Sequence, residues 1–214
     1  CAYDFFRCVA GHVNNYTVME VLVVASAFVW FLFLTPSSTS SVQPYQPPAH
    51  NVKNIRTSSG KKQKLERYIK QQNPDIPHTD SAEIAHWIDE YSAEEDVDPM
   101  LVAALIGRES SFKKRAVSST GAKGLGQLKD FNHKPLGIKD PYNVRQNVRG
   151  TVKYLKNMMG EWKGNKDSTR LALASYYQGP NKTKKVKKKR GKMAGHVNKY
   201  VDDIMTKYKK LSNR

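Results

Sequence analysis

Cysteine is nearly absent from this chain. It has two, Cys1 and Cys8, and both precede an apolar run that begins at residue 21. The rest of the sequence therefore holds neither a disulfide framework nor a thiolate metal site. None of the six histidines forms a short-spaced ligand pair, so no metal site is expected, and nothing calls for a cofactor. Alternating strand patterns and internal repeats are missing too, which points away from a β-rich fold. Acid is scarce: Asp and Glu total 19 against 36 Lys and Arg, a net charge of +17. That surplus attracts polyanions such as nucleic acid, anionic lipid or an acidic wall polymer, without choosing among them.

The chain has 214 residues, 39% of them hydrophobic, enough for one ordinary domain with its own core plus linkers. Four segments are expected. Residues 1–17 form an N-terminal segment with Arg7 as its one basic residue. Residues 18–36 contain "VLVVASAFVWFLFL", a length between a signal-peptide core and a full membrane span. We read it as an uncleaved membrane anchor in preference to a cleaved signal; either sends the rest of the chain across a membrane. The chain starts at Cys1 rather than Met, and Met19 is a candidate start. Residues 37–79, with "TPSSTSSVQPYQPPAHN", read as a disordered Ser/Pro-rich and basic linker, within which "KKQKLERYIKQQN" is a candidate short helix.

From 80 to 214 the texture is mostly all-α, about six helices around one core. "TDSAEIAHWIDEYSAEEDVD" places Ile84, Trp87 or Ile88, and Tyr91 at helical spacing behind Asp80 or Ser81 as N-cap. A second helix restarts at Asp98-Pro99, where the missing proline N–H costs nothing. Val144, Val148, Val152, Leu155 and Met159 make one stripe; Val197, Tyr200 or Val201, Ile204, Tyr208 and Leu211 make another. "DSTRLALASYY" is a short helix stopped by Gly179-Pro180.

One stretch concentrates the acid shortage. "LVAALIGRESSFKKRAVSSTGAKGLGQL", residues 101–128, has a single carboxylate, Glu109. On the helix from Pro99 it shares a face with Val102, Leu105 and Ile106, so it leans toward the core. It also lies in the last turn, at the negative end of the helix dipole. Both effects disfavour ionisation, and a carboxyl that keeps its proton near neutrality suits general acid catalysis. The Gly/Ser-rich run after it allows close backbone approach to a ligand and supplies short polar groups of the kind that bind sugars.

"ESSF…AVSSTGAKGLGQL", followed in order by "LGIKDPYNVRQNVRGTVKYL", "LALASYYQGP" and "HVNKYVDDI", resembles the bacterial soluble-lytic-transglycosylase catalytic domain, related to goose-type lysozymes. The resemblance spans roughly Asp80 to Tyr208 and implies a lysozyme-like helical domain. It implies Glu109 as the catalytic acid and Ser110, Ser118, Gly121, Gln127, Tyr176 and Tyr200 as residues lining the substrate groove. It also implies cleavage of the β-1,4 bond between N-acetylmuramic acid and N-acetylglucosamine, with 1,6-anhydro ends. An ordinary glycosidase needs a second carboxylate; Asp130 and Asp140 are the nearest candidates, and neither is placed like a partner. The sequence departs from the family at Gly126, where Met is usual, at Asp130, where Pro is common, and at Tyr177, where Asn is usual. Loss of the Met removes an apolar wall from the groove.

The expected partners are a peptidoglycan glycan strand, a membrane through the N-terminal helix, and anionic polymer or lipid at the basic run Lys182–Lys192. That run otherwise reads as a solvated loop. Nucleic acid is not expected, because aromatics interleave poorly with the lysines. The catalytic domain is expected outside the cytoplasm, in the periplasm or wall, with a phage-borne origin also compatible. The competing readings are a membrane-tethered polyanion-binding protein and a hydrolytic lysozyme on the same fold.

Overall fold

The computed structural model describes residues 52–190 and 193–213, and among these described residues eight helices account for nearly all the regular structure. They are α1 Val52–Gln72, α2 His78–Glu94, α3 Pro99–Glu109, α4 Asp130–His133, α5 Val144–Gly160, α6 Ser168–Gln178, α7 Pro180–Arg190 and α8 Gly195–Ser212. Among the described residues β-pairing is confined to isolated bridges joining Val117, Lys123 and Leu128. The all-α expectation therefore holds, with more helices than periodicity alone indicated. The apolar segment 18–36 lies outside the described residues. Within them no helix is long and apolar enough to cross a membrane.

Helix α3 is the central strut. Asp98 accepts from the Met100 amide at 2.8 Å and Pro99 occupies the first turn, as expected. Every residue from Met100 to Gly107 is buried. Helix α8 packs along α3, while α2 pairs with α5, and α6 lies between α5 and α8. The α5 stripe buries Val144, Val148, Val152 and Leu155, and Met159 packs against the core from its edge. The same face also carries two polar residues, Asn147 and Thr151, both buried.

Three local readings are corrected. The linker assigned to 37–79 is helical from Val52, and its Leu65, Tyr68 and Ile69 are core residues. Their i, i+3, i+4 spacing forms one narrow stripe inside a lysine-rich segment. Burial worth about 1.5–3 kcal/mol per large apolar side chain fixes such a helix whatever its average composition. Helix α2 begins at His78 after Pro77, so neither Asp80 nor Ser81 is its cap; the buried Ser81 hydroxyl instead donates to the His78 carbonyl at 2.9 Å. The basic run 182–190 is helix α7, not a loop. Gly179, at φ 87°, ends α6, and Pro180 then starts α7 in the position proline favours. Buried Thr183 faces the domain, Lys184 pairs with Glu161, and the Lys187 ammonium lies 5.5 Å from the Trp162 ring centroid.

Candidate active site

Glu109 is the last residue of α3, on the face shared with Val102, Leu105 and Ile106. The chain then turns abruptly. Ser111 and Phe112 both take positive φ, 49° and 58°, a conformation costing on the order of 1–2 kcal/mol for each non-glycine residue. The turn drives Phe112 into the core, edge-on to Tyr68 with ring centroids 5.8 Å apart. This anchor fixes where α3 stops, and so where its carboxyl points.

The carboxyl is partly enclosed, and burial pushes its pKa up from 4.5 to about 7. Two groups oppose that rise without cancelling it, the hydrogen bond from Tyr200 and the charge of Arg108. The Tyr200 hydroxyl, on α8, donates to a Glu109 carboxylate oxygen. Arg108 does not pair directly with Glu109. Its guanidinium meets Asp203 at 3.1 Å and lies 5.5 Å from the Tyr200 ring centroid. The tyrosine that contacts the acid is therefore itself braced by a cation.

A cleft of about 660 Å³ opens beside Glu109. Of the residues expected there, Ser118, Gln127 and Tyr176 line it together with Glu109. Tyr200 is not in the lining but donates its hydroxyl to the acid. Ser110 is not brought in: it is buried and its hydroxyl donates to the Ile106 carbonyl at 3.3 Å. Gly121 is not in the lining either; at φ 80° it forms the exposed tip of the loop. Tyr176 is spent on the loop, donating its hydroxyl to the Gly126 carbonyl at 2.7 Å, and burial raises its pKa well above the ordinary phenol value. Gln127 likewise donates to the carbonyls of Ala116 and Gly124 at 3.1 and 2.9 Å.

The glycine-rich loop is tied down from one helix face. The Asn147 side-chain oxygen accepts from the Gly126 amide at 2.9 Å, and its nitrogen donates to the carbonyls of Pro141 and Lys123 at 2.8 and 3.3 Å. A Cβ on Gly126 would lie 1.9 Å from Thr151 Oγ1. The methionine of the family pattern thus has no room here, and the apolar lining comes instead from Leu128, Phe131, Tyr154 and Met158. Asn147 and Thr151 were missed from sequence. Their signal was two polar residues in register with the apolar stripe of α5. Asn147→Ala is expected to lower stability by about 2 kcal/mol, because it strands the buried Gly126 amide and the part-buried Pro141 carbonyl. Urea unfolding would measure it, and cleavage should fall alongside.

No other Asp or Glu lines the cleft among the described residues. Asp130 is exposed and held by Lys123 at 3.0 Å. Asp140 accepts from the Tyr142 amide at 2.8 Å in the turn before α5. The same residues offer no group of acids, histidines and cysteines able to hold a metal. The site thus presents one protonatable carboxyl with a tyrosine donor beside a groove that is part apolar and part amide-lined. That arrangement can hand a proton to a leaving oxygen and take one back.

Comparison with known proteins bears on this arrangement. The family model described as the transglycosylase SLT domain matches residues 86–198, just over half of the chain. A transglycosylase of Enterobacteria phage PRD1 is 33% identical over 110 residues, 50% of this chain and 40% of that protein. The membrane-bound lytic murein transglycosylase F of Idiomarina loihiensis is 30% identical over 109 residues, 50% of this chain and 24% of the relative. The matched region thus spans less than half the length of either relative. An inactive mutant of the lytic transglycosylase Slt from Pseudomonas aeruginosa superposes with a TM-score of 0.51 at 19% identity, covering 59% of this chain and 23% of that one. At that identity the likeness supports the helical, lysozyme-like fold alone.

Proposed function

The chain belongs to the transglycosylase SLT domain family, and on that premise we propose that it is a peptidoglycan lytic transglycosylase in which Glu109 serves as both acid and base. Glu109 protonates the oxygen leaving between N-acetylmuramic acid and N-acetylglucosamine. The muramoyl C6 hydroxyl then attacks its own anomeric carbon and gives its proton to the Glu109 carboxylate. The C1–O4 bond breaks, the C1–O6 bond forms, no water is consumed, and the acid is restored. Holding the nucleophile within the substrate makes the second step intramolecular, so proximity takes the place of a second carboxylate. The observation that carries this reading is the lone cleft carboxyl with its pKa raised to about 7, half protonated near neutrality.

Mass spectrometry of peptidoglycan digested by the purified protein tests it. The expected product carries 1,6-anhydromuramic ends, absent with Glu109→Gln. Reducing, hydrated ends alone would assign the fold a hydrolytic lysozyme activity instead. Such a substrate places the domain outside the cytoplasmic membrane, in periplasm or wall, in keeping with the relatives named as membrane-bound murein and phage transglycosylases.

Tyr200→Phe gives a subtler check. The phenol donates to Glu109 and thereby favours the carboxylate. Its loss should raise the pKa of Glu109 and move the alkaline limb of the kcat/KM profile to higher pH. An unmoved limb would detach Tyr200 from the proton transfer.

The outer face of α7 supports a second contact, with anionic groups of the wall. Its inner side is held by Thr183, Lys184 and Lys187, whereas Lys182, Lys185, Lys188 and Lys189 are exposed. Changing these four to Gln should weaken sedimentation with insoluble wall, most at low salt, and leave cleavage of short soluble glycan intact.

A further inference from the structure

Large hydrophobic side chains are exposed at three places among the described residues, Val117, Phe131 and Tyr177. Two of them, Phe131 and Tyr177, line the Glu109 cleft. Phe131 is 76% exposed and Tyr177 48%. Isolated exposed apolar residues are ordinary, but two aromatic rings facing one groove are a feature of ligand sites.

Neither ring sits on a loose segment. Tyr177, in the last turn of α6, lies against Tyr200 with centroids 4.6 Å apart and planes inclined by 33°. Tyr200 is the residue whose hydroxyl donates to Glu109. Phe131 is on α4, a single turn braced on both sides. Asp130 pairs with Lys123 at 3.0 Å, His133 bonds the Leu128 carbonyl at 3.2 Å, and the Ile138 amide donates to the His133 carbonyl at 2.8 Å. Both rings stand at or next to positions where this sequence leaves the family pattern, Tyr177 in place of Asn and Phe131 following Asp130.

A pyranose ring carries an apolar face of C–H groups and a rim of hydroxyl and amide groups. It is held by a flat apolar side chain beneath the face and short polar groups at the rim. The cleft offers both, with Thr120, Asn132 and Gln178 beside the two aromatics. We propose that Phe131 and Tyr177 are sugar-stacking platforms, each taking the C–H face of one N-acetylated ring of the strand. Tyr177 carries the ring beside the cleaved bond, and Phe131 one farther along the groove. They supply the apolar support that Gly126, closed off by Thr151, does not. This inference rests on the glycan-cleaving reading, and the test separates the two.

Calorimetric titration of a tetramer of β-1,4-linked N-acetylglucosamine into the Glu109→Gln protein reads binding without turnover. Phe131→Ala and Tyr177→Ala in that background should each weaken binding about tenfold. Phe131→Trp and Tyr177→Phe, which keep a flat ring, should stay within about threefold of the parent. On peptidoglycan with Glu109 intact, Phe131→Ala should raise KM and leave kcat unchanged. Phe131 is exposed, so that variant keeps the fold. The platforms are refuted if the parent does not bind the tetramer, if the alanine variants bind like the parent, or if tryptophan at 131 weakens binding as alanine does. If the parent binds, the alanine variants bind about tenfold more weakly and no protein with Glu109 intact cleaves peptidoglycan, the platforms stand and the cleavage reading falls. If Phe131→Ala cleaves peptidoglycan with an unchanged KM, cleavage stands and the platform at 131 falls.

Discussion

Glu109→Gln is expected to reduce cleavage of peptidoglycan by about 10²–10⁴-fold, the range for loss of a positioned acid or base, with little change in affinity for the strand. The same substitution should act on stability with the opposite sign. The carboxyl has its ordinary value near 4.5 in the unfolded chain and about 7 in the fold. Between those values the unfolded chain releases a proton that the native protein keeps, so stability falls as pH rises. The contribution is fully present below about 4.5 and lost once pH passes about 7. At higher pH the native state carries an enclosed charge costing on the order of 3 kcal/mol. Gln cannot ionise, so thermal unfolding should show the variant more stable than the parent above neutrality, the two curves converging in acid. Equal pH dependence in both proteins would show that Glu109 is not the enclosed group, whatever its part in cleavage.

Gly126→Ala is the second large effect. The added Cβ meets Thr151 Oγ1 at 1.9 Å and Thr151 Cβ at 2.9 Å, both on the rigid body of α5. Overpacking of this kind costs about 3 kcal/mol or more. The damage reaches beyond stability, because the Gly126 amide is held by Asn147 and its carbonyl by Tyr176. A shift in this residue releases both, and with them one wall of the groove. We expect a lower urea midpoint together with near-complete loss of cleavage. Thr151→Ala removes the nearest atoms and should recover part of both losses, giving a coupling of about 1–3 kcal/mol in a double-mutant cycle. Additive effects would mean that the clash is relieved elsewhere.

Periodicity carried most of the fold. Helices α3, α5 and α8 each have an apolar stripe long enough to stand out, and Asp98-Pro99 marks the start of α3 by local chemistry. The position of Glu109 on the core side of its helix follows from the same spacing. Helices α1 and α7 were hidden for a common reason: both are crowded with lysine, and each is held by a few inward residues that composition averages away. Gly179-Pro180 misled because the pair that stops one helix also starts the next. In the site, local sequence could not show which polar groups turn inward. Ser110 neighbours the acid but gives its hydroxyl to the preceding helical turn. The loop is held by partners 21 and 50 residues away, Asn147 and Tyr176. Pairings at that separation exist only once the helices have packed.

The contact between Tyr200 and Glu109 joins residues 91 positions apart. Helix α8 follows every other element described, and domains form as units while the chain is still being made. A nascent chain that already contains Glu109, the glycine-rich loop and α6 still lacks the hydroxyl that restrains the acid and the ring on which Tyr177 rests. The proton affinity of the acid is therefore set in part by the last described helix, and the site is complete only once α8 has docked.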